Sequence, residues 1–184
     1  MRFYAMPYDY EARGFYFSDT EEYETKAKAN VNFYGQPVEE YEIQFIDGGE
    51  VESLLAQAFG LNQCNVSKFI EFIDNGYSER AYAAAWWLWH NNMKTAEQVY
   101  EMDEDDLESY VLHECEFNCA LNEDGAIEEY AHVYLEDTGQ LDAIPESLRY
   151  YFDYAAFARD MRLNGEVDAE EFNDTWYIFD AQAN

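Results

Sequence analysis

Acidic side chains outnumber basic ones four to one in this chain of 184 residues, with 40 Asp and Glu against 10 Lys and Arg and a net charge of −30. Charges of one sign repel each other in a compact fold. Such a chain can fold only if its acids stay at the surface and enough apolar side chains are buried. Here 48% of the residues are hydrophobic and 18% are aromatic, whereas disordered acidic chains are poor in aromatic residues. The sequence therefore predicts a folded protein with a strongly anionic surface.

The negative charge is concentrated in the second half of the sequence. Residues 1–94 hold 15 acids and 7 bases, a net charge of −8, whereas residues 95–184 hold 25 acids and 3 bases, a net charge of −22. Solubility of a small domain needs a net charge of only about 2 to 8 in magnitude. The longest acidic run is 103–106, too short for an acidic low-complexity tail. We therefore expect an interaction surface weighted toward the C-terminal half.

Hydrophobic periodicity predicts an α+β fold. Strands are expected over 2–8, 14–18 and 41–46, with a short helix over 21–28, before the turn signal Asp47-Gly48-Gly49. From residue 51 the spacing becomes helical. The predicted helices are 51–59, 67–74, one capped by Ser78 and running through 92, one opened by a Thr95–Gln98 capping box, an acidic segment capped by Asp103 over 103–114, and 126–138, 145–151 and 152–163. A terminal strand is expected over 176–179.

This order of elements predicts three small domains. They are a small β-sheet domain over 1–50, a helical middle domain over 51–108 and a mixed α+β domain over 109–184. The acids are expected to lie on the outside of this chain of domains.

Residues of the types that bind metals do not form a recognisable motif. His113, Cys115 and Cys119 are close in sequence, but the spacing H-x-C-x3-C matches no zinc pattern and a structural zinc site needs four ligands. Asn122 and Asp124 resemble the opening of an acidic calcium loop, yet no window has the oxygen-ligand spacing of an EF-hand. We expect buried thiols and a surface histidine here, with no metal and no other cofactor.

The sequence offers little support for catalysis. It has no nucleophile elbow, P-loop or glycine-rich dinucleotide turn. A carboxylate pair can be drawn from any set of 40 acids, so such a pair carries no information. Three cysteines without a framework spacing indicate reduced thiols, and neither a signal-peptide core nor an apolar run of about 18 residues is present. We expect a cytoplasmic protein that is not an enzyme and does not bind membranes.

The acids themselves are therefore the candidate site. B-form DNA carries one negative charge per ~1.7 Å of helix axis, so a net charge of −30 matches about fifteen base pairs. A surface of carboxylates could occupy a DNA channel lined with Lys and Arg, releasing counterions as DNA does. Such a protein binds the enzyme and not nucleic acid. A protein that buffers cations remains an alternative explanation of the acidity.

Several stretches resemble the ArdA family of antirestriction proteins. They are IEEYAHVYLEDTG at 127–139, IPESLRYYFDYAAFARDMRLNGEV at 144–167, TWYIF at 175–179 and EEYEIQFIDGGE at 39–50. The resemblance is densest over 126–179. It implies an elongated three-domain protein that pairs into a curved homodimer and inhibits type I restriction–modification enzymes by imitating bent B-form DNA.

The resemblance also implies a partner and a setting. The family is carried by plasmids, transposons and phages, so the expected location is the cytoplasm of a bacterial host. The expected partner is the methyltransferase core of a type I restriction–modification enzyme. Another DNA-binding enzyme, such as a CRISPR effector, or a histone-like protein is the alternative. Two copies would carry −60, equal to about thirty base pairs of charge.

The resemblance and the charge distribution together assign residues to two roles. Residues 127–139 correspond to the family's antirestriction motif near the dimer contact, which gives Tyr130, Ala131, Tyr134 and Leu135 a role in packing or pairing. The acids assigned to the partner-binding surface are Asp103, Glu104, Asp105, Asp106, Glu108, Glu114, Glu116, Glu123, Asp124, Glu128, Glu129, Glu136, Asp137, Glu166, Asp168, Glu170 and Glu171.

Overall fold

The computed structural model describes residues 1–116 and 122–183, and it confirms the α+β fold class. Within these residues it contains nine α-helices and two three-stranded antiparallel sheets. The chain forms two compact units, Met1–Met102 and Asp103–Asn184, which we call the N-terminal and C-terminal units. The division into three domains at residues 50 and 108 stays a prediction. In the described ranges, no helix is both long and apolar enough to span a membrane.

The N-terminal unit begins with a sheet in the order β2-β1-β3. Its strands are β1 (Arg2–Pro7), β2 (Phe15–Phe17) and β3 (Tyr41–Asp47). Phe3 and Ala5 alternate with more exposed residues along β1 and are fully buried, as expected for a strand with one face on the core. The Phe3 and Phe17 rings stack at 5.2 Å. Helix α1 (Thr20–Ala29) follows β2 and is capped by the side chain of Asp19.

Four helices complete the N-terminal unit. They are α2 (Glu50–Phe59), α3 (Val66–Asp74), α4 (Glu79–His90) and α5 (Ala96–Tyr100). The predicted caps are present, because the Ser78 side chain accepts from the Ala81 N–H and Thr95 forms a capping box with Gln98. Trp87 and Leu88 on α4 are buried, which supplies the core that an acidic chain needs.

The C-terminal unit packs two long helices on a sheet in the order β4-β6-β5. Its elements are α6 (Glu104–Glu108), β4 (Val111–Glu114), α7 (Glu123–Asp137), a 3₁₀ turn (Gln140–Ala143), α8 (Glu146–Arg149), α9 (Tyr154–Leu163), β5 (Val167–Phe172) and β6 (Thr175–Asp180). The core joins α7, α9 and the sheet through buried small and aliphatic side chains, among them Ile127, Ala131, Ala158, Met161 and Ile178.

The acidic segment 103–114 is not one helix, which corrects the sequence expectation. The helix ends at Glu108, and Val111–Glu114 forms a strand paired with β6. Val111 is β-branched and buried, and such residues favour strands when a partner strand is available. That partner lies more than sixty residues away in sequence, so local periodicity did not reveal it.

Strand β5 was missed because acids interrupt its pattern. Val167, Ala169 and Phe172 are buried, while the side chains between them are acidic. The turn to β6 holds Asn173 and Asp174, with φ of 49° and 62°. Positive φ at both central residues is what a tight hairpin turn requires, and Asn and Asp tolerate it better than other non-glycine residues.

Helix α7 begins at Glu123, three residues before the expected start at 126. Asn122 is its N-cap, and its side chain accepts a hydrogen bond from the Gly125 N–H at 2.9 Å. The residues that resembled the opening of a calcium loop therefore start a helix. Helices α8 and α9, in contrast, are shorter than the expected 145–151 and 152–163, and Asp153 caps α9.

Candidate functional site

Most of the protein's charge lies on the C-terminal unit. Residues 103–184 hold 23 Asp and Glu against 3 Arg, a net charge of −20, whereas residues 1–102 hold 17 acids against 7 bases, a net charge of −10. The smaller unit thus carries twice the net charge. All 17 acids assigned to the partner surface belong to it.

None of these 17 side chains is buried. The exposed ones are Asp103, Asp105, Asp106, Glu114, Glu116, Asp124, Glu136, Asp137, Glu166 and Glu171. The partly exposed ones are Glu104, Glu108, Glu123, Glu128, Glu129, Asp168 and Glu170. The structure therefore leaves most of the predicted acids accessible to a large partner.

The acids of α6 also serve the fold. The Asp103 carboxylate accepts from the Asp106 N–H at 2.8 Å and so caps the helix. Glu104, Asp105 and Asp106 occupy the first turn, where negative charge is favoured by the positive end of the helix dipole. Helix stability alone is enough to explain acids at these positions.

The acids at the two ends of α7 have different surroundings. At the N-terminal end Glu123 and Asp124 lie in the first turn, and both face Arg162, at 2.8 Å and 3.0 Å. At the C-terminal end Glu136 and Asp137 are exposed, and the last turn has no basic residue. Negative charge at a helix C-terminus opposes the helix dipole. Glu136 and Asp137 therefore cost the fold stability and need another explanation.

The few bases of the C-terminal unit are already paired with acids. Arg149 contacts Asp142 at 3.0 Å, Arg159 contacts Asp160 at 3.7 Å, and Arg162 bridges Glu123 and Asp124. Each guanidinium thus lies beside a carboxylate instead of forming a separate positive patch. Toward a partner the unit presents a predominantly negative surface.

The acids around β5 lie just before the strand and along it. Glu166 and Glu171 are exposed, and Glu166 accepts from the Asn164 side-chain amide at 3.2 Å. Asp168 and Glu170 are half-buried and alternate with the buried Val167 and Ala169. Residues two apart on a strand share a face, so Asp168 and Glu170 point the same way.

The chain matches the sequence model of a known protein family. Residues 8–172 match the model described as antirestriction protein (ArdA), so the match covers most of both units and includes every acid of the predicted surface. The chain belongs to the ArdA family. No curated protein and no solved structure matches it significantly. Membership makes this ArdA protein an antirestriction protein, an inhibitor directed against restriction–modification enzymes.

The stretch that resembles the family's antirestriction motif, residues 127–139, lies on α7 as far as Asp137. Ala131 and Leu135 are buried in the core of the C-terminal unit. Tyr130 and Tyr134 are half-buried, and their ring centroids are 5.9 Å apart. Burial, together with the nearby Tyr134 and Asp180, raises the pKa of the Tyr130 phenol above its ordinary value. These contacts give all four residues a packing role within one chain, and a role in pairing stays a prediction.

Glu129 differs from the other acids of the ArdA surface. Its side chain is only 20% exposed, and its Oε1 lies 3.1 Å from His113 Nε2 and accepts from the Glu116 N–H at 3.0 Å. The helix position of Glu129 turns it toward β4 and not toward solvent. We therefore remove Glu129 from the partner surface.

The fold also brings together three possible metal ligands. Ligand atoms of His113, Cys115 and Glu129 all lie within 4.8 Å of one another. Cys119, which the sequence grouped with His113 and Cys115, lies outside the described residues. Glu129 was missed because it is 16 residues from His113, and only the packing of α7 beside β4 makes them neighbours.

Proposed function

We propose that this protein inhibits type I restriction–modification enzymes by occupying the DNA channel of the methyltransferase core with the carboxylates of its C-terminal unit. The observation that carries the proposal is the net charge of −20 on residues 103–184, on side chains that are at least partly exposed. Membership of the ArdA family supports the class of target.

Charge density gives the proposal its physical basis. Duplex DNA carries one negative charge per ~1.7 Å of axis, so −20 equals the charge of about ten base pairs. A DNA channel attracts phosphates through Lys and Arg and does not distinguish carboxylates by charge alone. Binding releases counterions from the mimic, so its affinity falls as salt rises.

The affinity must be a sum over many weak contacts. An exposed ion pair contributes only about 0–1 kcal/mol. Glu136 and Asp137 are the best single indicators of selection for binding, because the fold gains nothing from them. Even so, neutralising Glu136 alone should change inhibition little.

Pairing would double the charged surface. Two chains carry −60, equal to about thirty base pairs, which suits an enzyme with a long DNA footprint. We include a homodimer in the proposal, with α7 near its contact as the family resemblance implies. Light scattering at several protein concentrations measures the mass directly, and a monomer at the inhibitory concentration would remove this part of the proposal.

A displacement titration tests the proposed target. A purified type I methyltransferase core is bound to labelled duplex, and the protein is added at two salt concentrations. Displacement near stoichiometric amounts, weaker at the higher salt, is the expected result. If the duplex stays bound at both salts, the type I channel is not the target. The same titration on a CRISPR effector then tests the alternative partner.

A further inference from the structure

Three side chains of the C-terminal unit converge beneath α7. His113 lies on β4, Cys115 follows at the end of that strand, and Glu129 projects from the middle of α7. Their ligand atoms lie within 4.8 Å of one another, and the His113 Nε2 to Glu129 Oε1 distance is 3.1 Å. Cys115 is buried, while His113 and Glu129 are each only 20% exposed in their side chains. The cluster is therefore screened from solvent, unlike the surface carboxylates.

One oxygen of this cluster has no hydrogen-bond partner among the described residues. Glu129 Oε1 accepts from the Glu116 N–H and contacts His113, whereas Glu129 Oε2 is buried without a hydrogen-bond partner among residues 1–116 and 122–183. A buried carboxylate oxygen is costly when unsatisfied, and such a group requires a water or an ion. The unsatisfied oxygen is evidence for a bound water or ion that does not depend on the proximity of the three side chains.

The chemical types of the three ligands indicate which class of metal ion would bind. Thiolate, imidazole and carboxylate together favour zinc and similar transition ions over calcium or magnesium, which prefer oxygen ligands alone. Zinc bond lengths of 2.0 to 2.3 Å put tetrahedral ligand atoms about 3.3 to 3.6 Å apart. The His113–Glu129 pair is already near that separation, and the Cys115 sulfur needs to approach by at most about 1.2 Å.

We propose that His113, Cys115 and Glu129 bind one zinc-class divalent ion, with a water in the fourth position. The ligands stand on ordered elements, since His113 is paired with Ile178 of β6 and the Cys115 N–H donates to Trp176 O at 2.9 Å. The ion ties β4 to α7, which carries the antirestriction motif. Its role is to stabilise the C-terminal unit, separate from the charged surface.

This site revises the expectation of no metal. That expectation considered His113, Cys115 and Cys119 as neighbours along the chain and found no zinc spacing. The fold supplies Glu129, a ligand from another element. When the metal ligands come from a strand and a separate helix, they have no characteristic spacing in the sequence by which the site could be recognised.

Cobalt titration of the full chain tests the site, because a cobalt–thiolate bond gives a charge-transfer absorption band that other ligands do not. All measurements use a Cys64→Ser background, which removes the exposed Cys64 thiol. We expect saturation at one ion per chain with a thiolate band, and displacement of cobalt by zinc. Glu129→Gln and His113→Gln should each weaken cobalt binding at least about tenfold, and Cys115→Ser should abolish the band.

Thermal denaturation separates loss of binding from loss of folding. Each variant is compared with and without zinc, so a change in its metal-free stability does not matter. At a zinc concentration about 100 times the Kd, the C-terminal unit should melt more than about 5 °C higher, and Glu129→Gln should lose this shift. His132→Gln, at an exposed position on the same helix, is the matched control and should keep it. Binding without a thiolate band, or unchanged binding in Glu129→Gln, would overturn the proposal.

Discussion

Residues 1–102 and residues 103–184 each combine a three-stranded antiparallel sheet with helices, yet they present different surfaces. The N-terminal unit offsets 17 acids with 7 bases, including a Lys26–Glu22 pair on α1, whereas the C-terminal unit has 23 acids, 3 Arg and no Lys. Both units bury apolar side chains. A sheet packed with helices therefore does not require a strongly acidic surface. We attribute the excess of acidic residues in the C-terminal unit instead to what that unit binds.

The largest expected effect is on stability, and it compares a residue on the buried face of α7 with one on its exposed face. Leu135 is 2% exposed in the core of the C-terminal unit, and its neighbour Glu136 is exposed. Leu135→Ala should lower the free energy of unfolding by about 2–5 kcal/mol, because it removes buried methyl groups and leaves a cavity. Glu136→Gln should not lower it. Urea denaturation of both variants measures the difference, and equal stabilities would mean that α7 does not hold the core together.

The next effect tests the charge contrast between the units directly. One variant neutralises five exposed acids of the C-terminal unit to their amides: Asp105, Asp106, Glu114, Glu166 and Glu171. At about 0.3–0.5 kcal/mol per contact, the loss of inhibition should be about tenfold to a hundredfold. The displacement titration measures it, and circular dichroism checks that the fold is kept.

The matched control removes the same charge from the other unit. Its five exposed acids are Glu24, Glu39, Glu40, Asp47 and Glu71. Both variants have a net charge of −25, so any difference in inhibition comes from position and not from total charge. Equal losses in the two variants would show that overall charge acts and that the C-terminal unit has no special role.

Local signals in the sequence predicted much of the fold. Ser78, Thr95 and Asp103 cap helices as expected, because a cap depends on residues only three positions apart. The exposure of the acids could also be anticipated, since ionised carboxylates are rarely buried without partners. The family resemblance in residues 127–139 and 144–167 is confirmed by the match to the ArdA family.

Features that depend on distant partners could not be predicted. Strand β4 is a strand because β6 pairs with it, and β5 is a strand because its few apolar residues meet α7 and α9. Glu129 looks like any other acid of α7 in sequence, and only the position of β4 turns it into a partner of His113. Only the structure therefore distinguishes the acids that contact other residues of the chain from those that remain exposed for a partner.

A smaller effect compares the two ends of α7. Glu136→Gln with Asp137→Asn should raise the free energy of unfolding by about 0.3–1 kcal/mol per charge, because it removes negative charge from a helix C-terminus. Glu123→Gln with Asp124→Asn should lower it by a similar amount and also breaks the contacts with Arg162. Urea denaturation at low salt measures both. The same sign for the two pairs would remove the argument that Glu136 and Asp137 are kept for binding.

The smallest expected effect comes from removing one basic residue from α1, which leaves Glu22 without its lysine partner, like the acids of the C-terminal unit, which has no Lys. The Lys26 ammonium, followed by the Ser18 N–H, lowers the pKa of the Glu22 carboxyl below its ordinary value. A carboxyl with a lowered folded-state pKa stabilises the fold above its unfolded pKa, and this contribution is lost as the pH falls through the folded value. Lys26→Met should therefore raise the pKa of Glu22 and reduce the loss of stability on acidification. Carboxyl NMR titration measures the pKa, and inhibition should be unchanged, because Glu22 lies outside the unit proposed to bind the enzyme.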